Sequence, residues 1–439
     1  MTRTWASISW KWKAFLVFSL LSGAILRLIF VDDMEYKEDE EYNFTQAKLA
    51  GSVLSWPATG MPSGVYLQNP GMSIWVFIIL AKIFRVTSPT ELATAVQIFS
   101  LLGICLIIPF ALKIVDQAER KPWLWAFALA MVNPLAVFYQ RKLWPEPFLP
   151  FFTMLTLIGW WRREKYAGAF IWGLIGAFLG QIHMSGFFFA AGLFLWTAIF
   201  GKHTTMGKTS TRWGMWLLGS AIGALPLIPW AMEVIRHPPS GRMVSGFSEI
   251  LQLKFWVFWV SNPLGLHLGN PLGLLLGESN LAQLSDFIRY PLLQNGSATY
   301  LVGLAHLLVI LVGCTVLVMA AKNIFTNLRS SKTTVYNLIT GTSSSTNFVQ
   351  NAALIGFGLL LTLTGVNIRR YYMMIAFPLE YIWLARAVKS HRLLLGTLFL
   401  LHVFISTAFV AYIHVNEGAP HGDYGHAYHV VMKNRAKNN

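Results

Sequence analysis

The chain has 439 residues, 55% of them hydrophobic and 14% aromatic, with only 12% charged. That is more apolar mass than a water-soluble globule can bury, so lipid must be the solvent for much of it, and a soluble enzyme is excluded. The net charge of +15 does not mark a nucleic-acid binder, because the basic residues sit in short clusters between apolar runs, as they do in the cytoplasmic loops of membrane proteins.

The first apolar run, Trp12 to Phe30, follows Arg3, Lys11 and Lys13 and leads into acidic residues instead of a small-residue cleavage site, which predicts an uncleaved span with a cytoplasmic N-terminus. Directly after it, "VDDMEYKEDEEYNFTQ" places seven carboxylates in the ten positions Asp32 to Glu41. Like charges so close repel and raise one another's pKa, so the stretch reads as a general base, a divalent-metal site or a solvated acidic loop. "DEEYNFTQAKLAG" continues in a helix-compatible pattern, which sets Asp39 and Glu40 at a helix N-terminus, where negative charge is favoured.

Further apolar segments fall near residues 71–84, 92–112, 122–139, 147–161, 166–182, 186–200, 213–235, 298–321, 348–366, 371–388 and 393–414, with a mixed stretch at 237–297. The segment 71–84 is short for a bilayer, which needs roughly twenty residues. If it lies at the interface, the basic loops at Lys121, Arg162–Lys165, Gly201 onward, Lys322–Lys332 and Arg386–Arg392 all fall in the cytoplasm; if it spans, all five move outside. The expectation is therefore an all-α polytopic bundle of about eleven transmembrane helices forming one domain over 1–439. Extracytoplasmic loops at 32–90, with interfacial helices, and at 237–297 complete it, and the C-terminus lies outside.

This sidedness gathers the unusual polar groups on the outer face. Arg141, Lys142 and Glu146 lie in a turn pinned by Pro145 and Pro147, a cation pair beside a carboxylate that suits a phosphate arriving from the bilayer. The alternative is that the two cations anchor a helix end at lipid head groups. Arg369, Arg370, Tyr371 and Tyr372 form a second outer cluster, the tyrosines also being expected in an interfacial aromatic belt. His183 interrupts an apolar run at an outer turn, where it is either a packed histidine or a ligand contact. His421, Asp423, His426 and His429 match no firm metal spacing and read as a solvated tail. Cys105 and Cys314 lie inside apolar runs and read as packing residues.

In order along the chain, an outer Asp39-Glu40 with Ala47 seven positions on, a Pro-led interfacial helix from Asn69, a "P…Y.R….E" loop (Pro134, Tyr139, Arg141, Glu146) and a late "R-Y…P" span (Arg370, Tyr371, Pro378) together resemble the GT-C superfamily of membrane glycosyltransferases. The likeness is to the branch of protein O-mannosyltransferases and lipid A aminoarabinose transferases. "NPG" at Asn69–Gly71 departs from the His-Pro-Pro start of many relatives. The resemblance implies inverting transfer of a sugar from a polyprenyl-phosphate donor to a glycan, lipid or protein acceptor at the outer face of a bacterial plasma membrane. It implies Asp39 as base with Glu40 as its substitute, and Glu146 positioning hydroxyls. Arg141, Lys142, Arg369 and Arg370 would then hold the donor phosphate, with His183, Tyr139 and Tyr371 as contacts to donor or acceptor. A divalent cation remains an open addition. The competing classes are a transporter or flippase of a lipid-linked or anionic solute, disfavoured by the few ionisable groups within the spans, and a non-catalytic subunit.

Overall fold

A computed structural model describes residues 8–52, 55–63, 67–201, 210–238, 252–266, 285–329, 335–388, 391–419 and 424–438. The chain is an all-α polytopic membrane protein. Five described helices are long and apolar enough to cross a bilayer: Pro89–Lys113, Trp213–Arg236, Leu301–Thr326, Ser345–Leu363 and Arg392–Val415. A sixth candidate is the pair Arg120–Val132 and Pro134–Gln140, bent by 59°. The first helix, α1 (Trp10–Leu28), has the length, but Lys11, Lys13 and Arg27 keep it out of that group. Leu149–Trp161, Tyr166–Ile182 and Ser185–Phe200 have 13, 17 and 16 residues, so the apolar runs are helical as expected without all reaching spanning length. Most of the 237–297 loop lies outside the described residues.

The elements between the first two long runs are α2 (Glu38–Leu49), a hairpin of β1 (Thr59–Pro62) with β2 (Gln68–Pro70), and α3 (Met72–Ile83). The 12 residues of α3 extend about 18 Å, well short of a hydrocarbon core of about 30 Å.

The core centres on α4 (Arg120–Val132), in which Trp123 and the whole run Ala126–Val132 are buried. Pro134 then removes a backbone donor, and the chain bends into α5 (Pro134–Gln140). The Asn133 carboxamide oxygen caps the new helix, accepting from the amides of Leu135 and Ala136 at 3.0 Å each. The carbonyls freed at the end of α4 are also taken up. Arg27 donates to Met131 at 2.6 Å and Ala130 at 3.2 Å, and Ser406 donates to Val132 at 2.7 Å. In lipid such groups have no water to turn to, so the buried charge near the end of α1, Arg27, is explained by the break it completes. The bend directs the chain from the core to the turn at Arg141–Glu146.

The C-terminal segment is not the solvated tail expected from its sequence. Tyr424 is buried and donates to the Asp33 carbonyl at 2.6 Å, the Tyr428 amide donates to Met34 at 2.9 Å, and Ala427 pairs with Glu35. Asp33 lies between His414 at 2.8 Å and His429 at 3.3 Å, and Arg435 grips Glu41 with two contacts of 2.7 Å. His421 and Asp423 lie outside the described residues.

Candidate active site

The acidic stretch is divided among separate partners. Asp33 faces the histidines, Glu35 pairs with Lys37 at 2.6 Å and also with Lys142, and Glu41 holds Arg435. The Glu40 side chain is buried and turned back to accept the Lys37 amide at 3.0 Å, closing the first turn of α2. Asp39, one position earlier, is half-buried and faces a cavity of about 460 Å³. Among the described residues, no group of three or more His, Cys, Asp or Glu side chains is arranged around one point as a metal would need.

Glu146 meets Asp39 at this cavity from the other direction. It is delivered by the outer turn, whose prolines set a short 3-10 helix, Glu146–Phe148. His183 arrives from the end of α7 (Tyr166–Ile182), which follows α6 (Leu149–Trp161). The turn that presents it closes tightly: a Cβ on Gly186 would lie 2.4 Å from the Leu179 carbonyl oxygen, so glycine is required there. The His183 Nδ1 accepts from the Ser185 amide at 3.3 Å and lies 2.7 Å from the Ser185 hydroxyl. A ring nitrogen that accepts an amide proton carries none itself, which assigns the proton to Nε2, 3.6 Å from Glu146 Oε1. Burial pushes His183 down to about 4, so it is a neutral imidazole at neutral pH and its approach to Glu146 is not an ion pair.

Burial also pushes the carboxyls up. Glu146 rises to about 7, opposed by its own amide and Lys142. Asp39 is raised by burial and then by Glu35, with Lys142 and Lys37 opposing. The Tyr371 phenol is raised by burial, with Tyr372 and Glu146 adding and Arg369 opposing. Two carboxyls, each raised from its ordinary value by burial, line one cavity, an arrangement suited to proton transfer.

Of the residues singled out in the sequence, Asp39, Glu146, His183 and Tyr371 share this cavity. Arg369 is exposed beside Tyr371 and Tyr372, and its guanidinium makes no hydrogen bond or ion pair among the described residues. The other cations are committed elsewhere. Arg141 donates to four carbonyls at the end of α1, those of Leu26, Arg27, Ile29 and Phe30, at 2.8 to 3.1 Å. In this arrangement it caps the end of α1. Lys142 is buried against Glu35 and over the Trp144 ring at 4.1 Å. Arg370 donates to Asn262 at 2.7 Å and Ser261 at 2.9 Å and lies over Phe258. Tyr139 is buried behind Tyr371, with ring centroids 6.4 Å apart.

Tyr372, named in the sequence cluster with Tyr371, lines the cavity too, whereas sequence reasoning missed Asn43, Ser73 and Trp144. Asn43 was within reach, being four residues after Asp39 and so on the same face of α2. Ser73 gave one signal, a lone hydroxyl opening an apolar helix.

Glu40 supplies a test of its structural role. Burial raises it from 4.5 to about 8, so the folded state favours its protonated form. That stabilisation is full below pH 4.5 and is lost as pH rises through about 8. Glu40→Gln keeps an acceptor for the Lys37 amide without a charge to bury. Its melting temperature should therefore fall less than that of the unaltered protein between pH 6 and 9, measured by scanning fluorimetry in detergent.

No protein-family model and no curated protein matches the chain. Among solved structures, the chain is similar to the oligosaccharyltransferase of Archaeoglobus fulgidus in the apo form (14% identity, TM-score 0.46, covering 97% of this chain and 56% of that one). It is also similar to the archaeal oligosaccharyltransferase AglB from Archaeoglobus fulgidus in complex with an inhibitory peptide and a dolichol-phosphate (15%, 0.45, 95% and 56%). A third similar structure is ArnT from Cupriavidus metallidurans in the apo state (14%, 0.39, 85% and 76%). The chain thus spans about half the length of the oligosaccharyltransferase chains.

Proposed function

We propose that the chain is an inverting glycosyltransferase that moves a sugar from a polyprenyl-phosphate donor to an acceptor hydroxyl at the extracytoplasmic membrane face. The observation that carries this reading is the convergence of Asp39 and Glu146, from separate segments, on one cavity whose remaining wall is largely apolar. Asp39 takes the acceptor's proton as its oxygen attacks the anomeric carbon. The bond from that carbon to the phosphate oxygen breaks, and polyprenyl phosphate leaves with the bonding pair. Glu146, oriented beside the His183 Nε2 proton, positions sugar or acceptor hydroxyls. Arg369 meets the charge that develops on the leaving phosphate.

Sidedness is part of the same proposal. Glu146 precedes α6 and His183 follows α7, while the basic Arg162–Lys165 turn joins the opposite ends of these two helices. With the basic loops in the cytoplasm, the cavity faces outward, the N-terminus is cytoplasmic, and eleven membrane segments put the C-terminus outside.

Arg369→Ala should weaken donor binding about tenfold or more, the size of a lost charge-assisted contact, and leave the melting temperature unchanged because the guanidinium has no hydrogen-bond or ion-pair partner among the described residues. The reading as a whole is tested by reconstituting the protein with polyprenyl-phosphate sugars and acceptors and following the lipid by mass spectrometry. Bare polyprenyl phosphate together with a glycosylated acceptor is the expected result. Movement of the intact sugar lipid across the bilayer without cleavage would make the chain a flippase instead.

A further inference from the structure

Four side chains that line the cavity carry a buried polar atom with no hydrogen-bond partner among the described residues: Asn43 Oδ1, Ser73 Oγ, Trp144 Nε1 and Glu146 Oε2. Such atoms are rare in folded proteins, because each costs about 1–3 kcal/mol of desolvation when nothing replaces water. Four around one cavity point to a ligand that supplies the missing partners. Their orientation is set by the fold. Asn43 Nδ2 donates to the Leu143 carbonyl at 2.6 Å, which fixes the carboxamide and leaves Oδ1 for an incoming donor. Asn43 and Glu146 present acceptors, Trp144 a donor, and the Ser73 hydroxyl either. A group bearing several hydroxyls, each able to donate and accept, satisfies such a mixture.

The same lining has a definite sign. It contains two carboxyl side chains, Asp39 and Glu146, and no Lys or Arg among the described residues. Lys142, the nearest buried cation, is held by Glu35, and Arg369 is exposed beside the tyrosines. A negatively charged ring substituent placed here would be desolvated against carboxyls without a counter-charge, which is costly, whereas a hydroxymethyl group in its place would find acceptors.

We propose that this cavity reads the hydroxyls of an uncharged sugar through Asn43, Ser73, Trp144 and Glu146 and rejects sugars that carry a carboxylate. The proposal rests on the transferase reading above and names its donor class: polyprenyl-linked neutral sugars, not uronic acids.

The test uses the full chain in lipid nanodiscs and three water-soluble short-chain lipids: polyprenyl-phosphate glucose, polyprenyl-phosphate glucuronate, and polyprenyl phosphate alone. The two sugars differ only in a hydroxymethyl against a carboxylate. The glucose lipid should bind at least tenfold more tightly than the glucuronate. Ser73→Ala and Asn43→Ala should each weaken the glucose lipid about tenfold while leaving bare polyprenyl phosphate unchanged. Ser73→Ala removes a hydroxyl that no protein group uses, so it should melt with the unaltered protein and separate recognition from folding. Equal or tighter binding of the glucuronate, or unchanged glucose-lipid affinity in both variants, overturns the proposal. If none of the three lipids binds, the transferase reading fails and this proposal with it.

Discussion

Asp39→Asn lowers sugar transfer by about 10²–10⁴-fold, the contribution of a positioned general base, while donor binding and thermal stability stay close to those of the unaltered protein. The size of the effect follows from the partition of the acidic stretch. Asp33, Glu35, Glu40 and Glu41 are each turned to a partner of their own and cannot take over, although all lie within eight residues of one another in sequence. Asn preserves the shape of Asp and its place in the first turn of α2 but cannot accept a proton. In the proposed mechanism Glu146 does not compensate, because it is assigned to hold hydroxyls in place. Single-turnover transfer with parallel measurements of donor affinity and melting checks the result. Normal turnover in Asp39→Asn would move the base to another residue.

Arg141→Met destabilises the fold by about 3 kcal/mol or more, a large effect for a single substitution. The guanidinium serves four carbonyls at the end of α1, and removing it takes that donor from the buried pair at Leu26 and Arg27 and the part-buried pair at Ile29 and Phe30. Arg141→Lys recovers little, since a point charge does not reach four acceptors as a planar fork does. The checking measurement is thermal or denaturant unfolding in detergent. Any loss of donor binding should track the unfolded fraction. A variant that melts normally yet fails to bind donor would restore Arg141 as a phosphate ligand and remove it as a cap.

These two residues mark where the sequence was informative. Hydropathy located the helical runs, because a bilayer demands continuous apolar stretches and the chain can meet that demand in few ways. It did not reveal which helices reach full length, since the ends are set by prolines and breaks such as the one at Asn133–Pro134. Asp39, Glu146, His183 and Tyr371 were legible because each is a polar intrusion at the outer end of an apolar run, and outer ends converge in a bundle. Arg141, Lys142 and Arg370 satisfied the same criterion, yet their side chains are engaged within the protein. Their partners, the end of α1, Glu35 and the Ser261–Asn262 pair, are distant in sequence, and charge and sidedness say nothing of whether a cation is already satisfied. The C-terminal histidines misled in the opposite direction: a polar tail reads as solvated unless its docking strand against Glu35 is known.

The central claim is that a lipid-borne sugar meets its acceptor between Asp39 and Glu146. A cryo-electron microscopy structure of the protein with a non-cleavable phosphonate analogue of a polyprenyl-phosphate sugar tests it most directly. The account predicts the sugar ring inside the cavity, in contact with Asn43 and Glu146, with the phosphonate at Arg369 and the prenyl chain leaving along the apolar wall toward lipid. A sugar and phosphonate bound anywhere else, with the cavity between Asp39 and Glu146 empty, would contradict it.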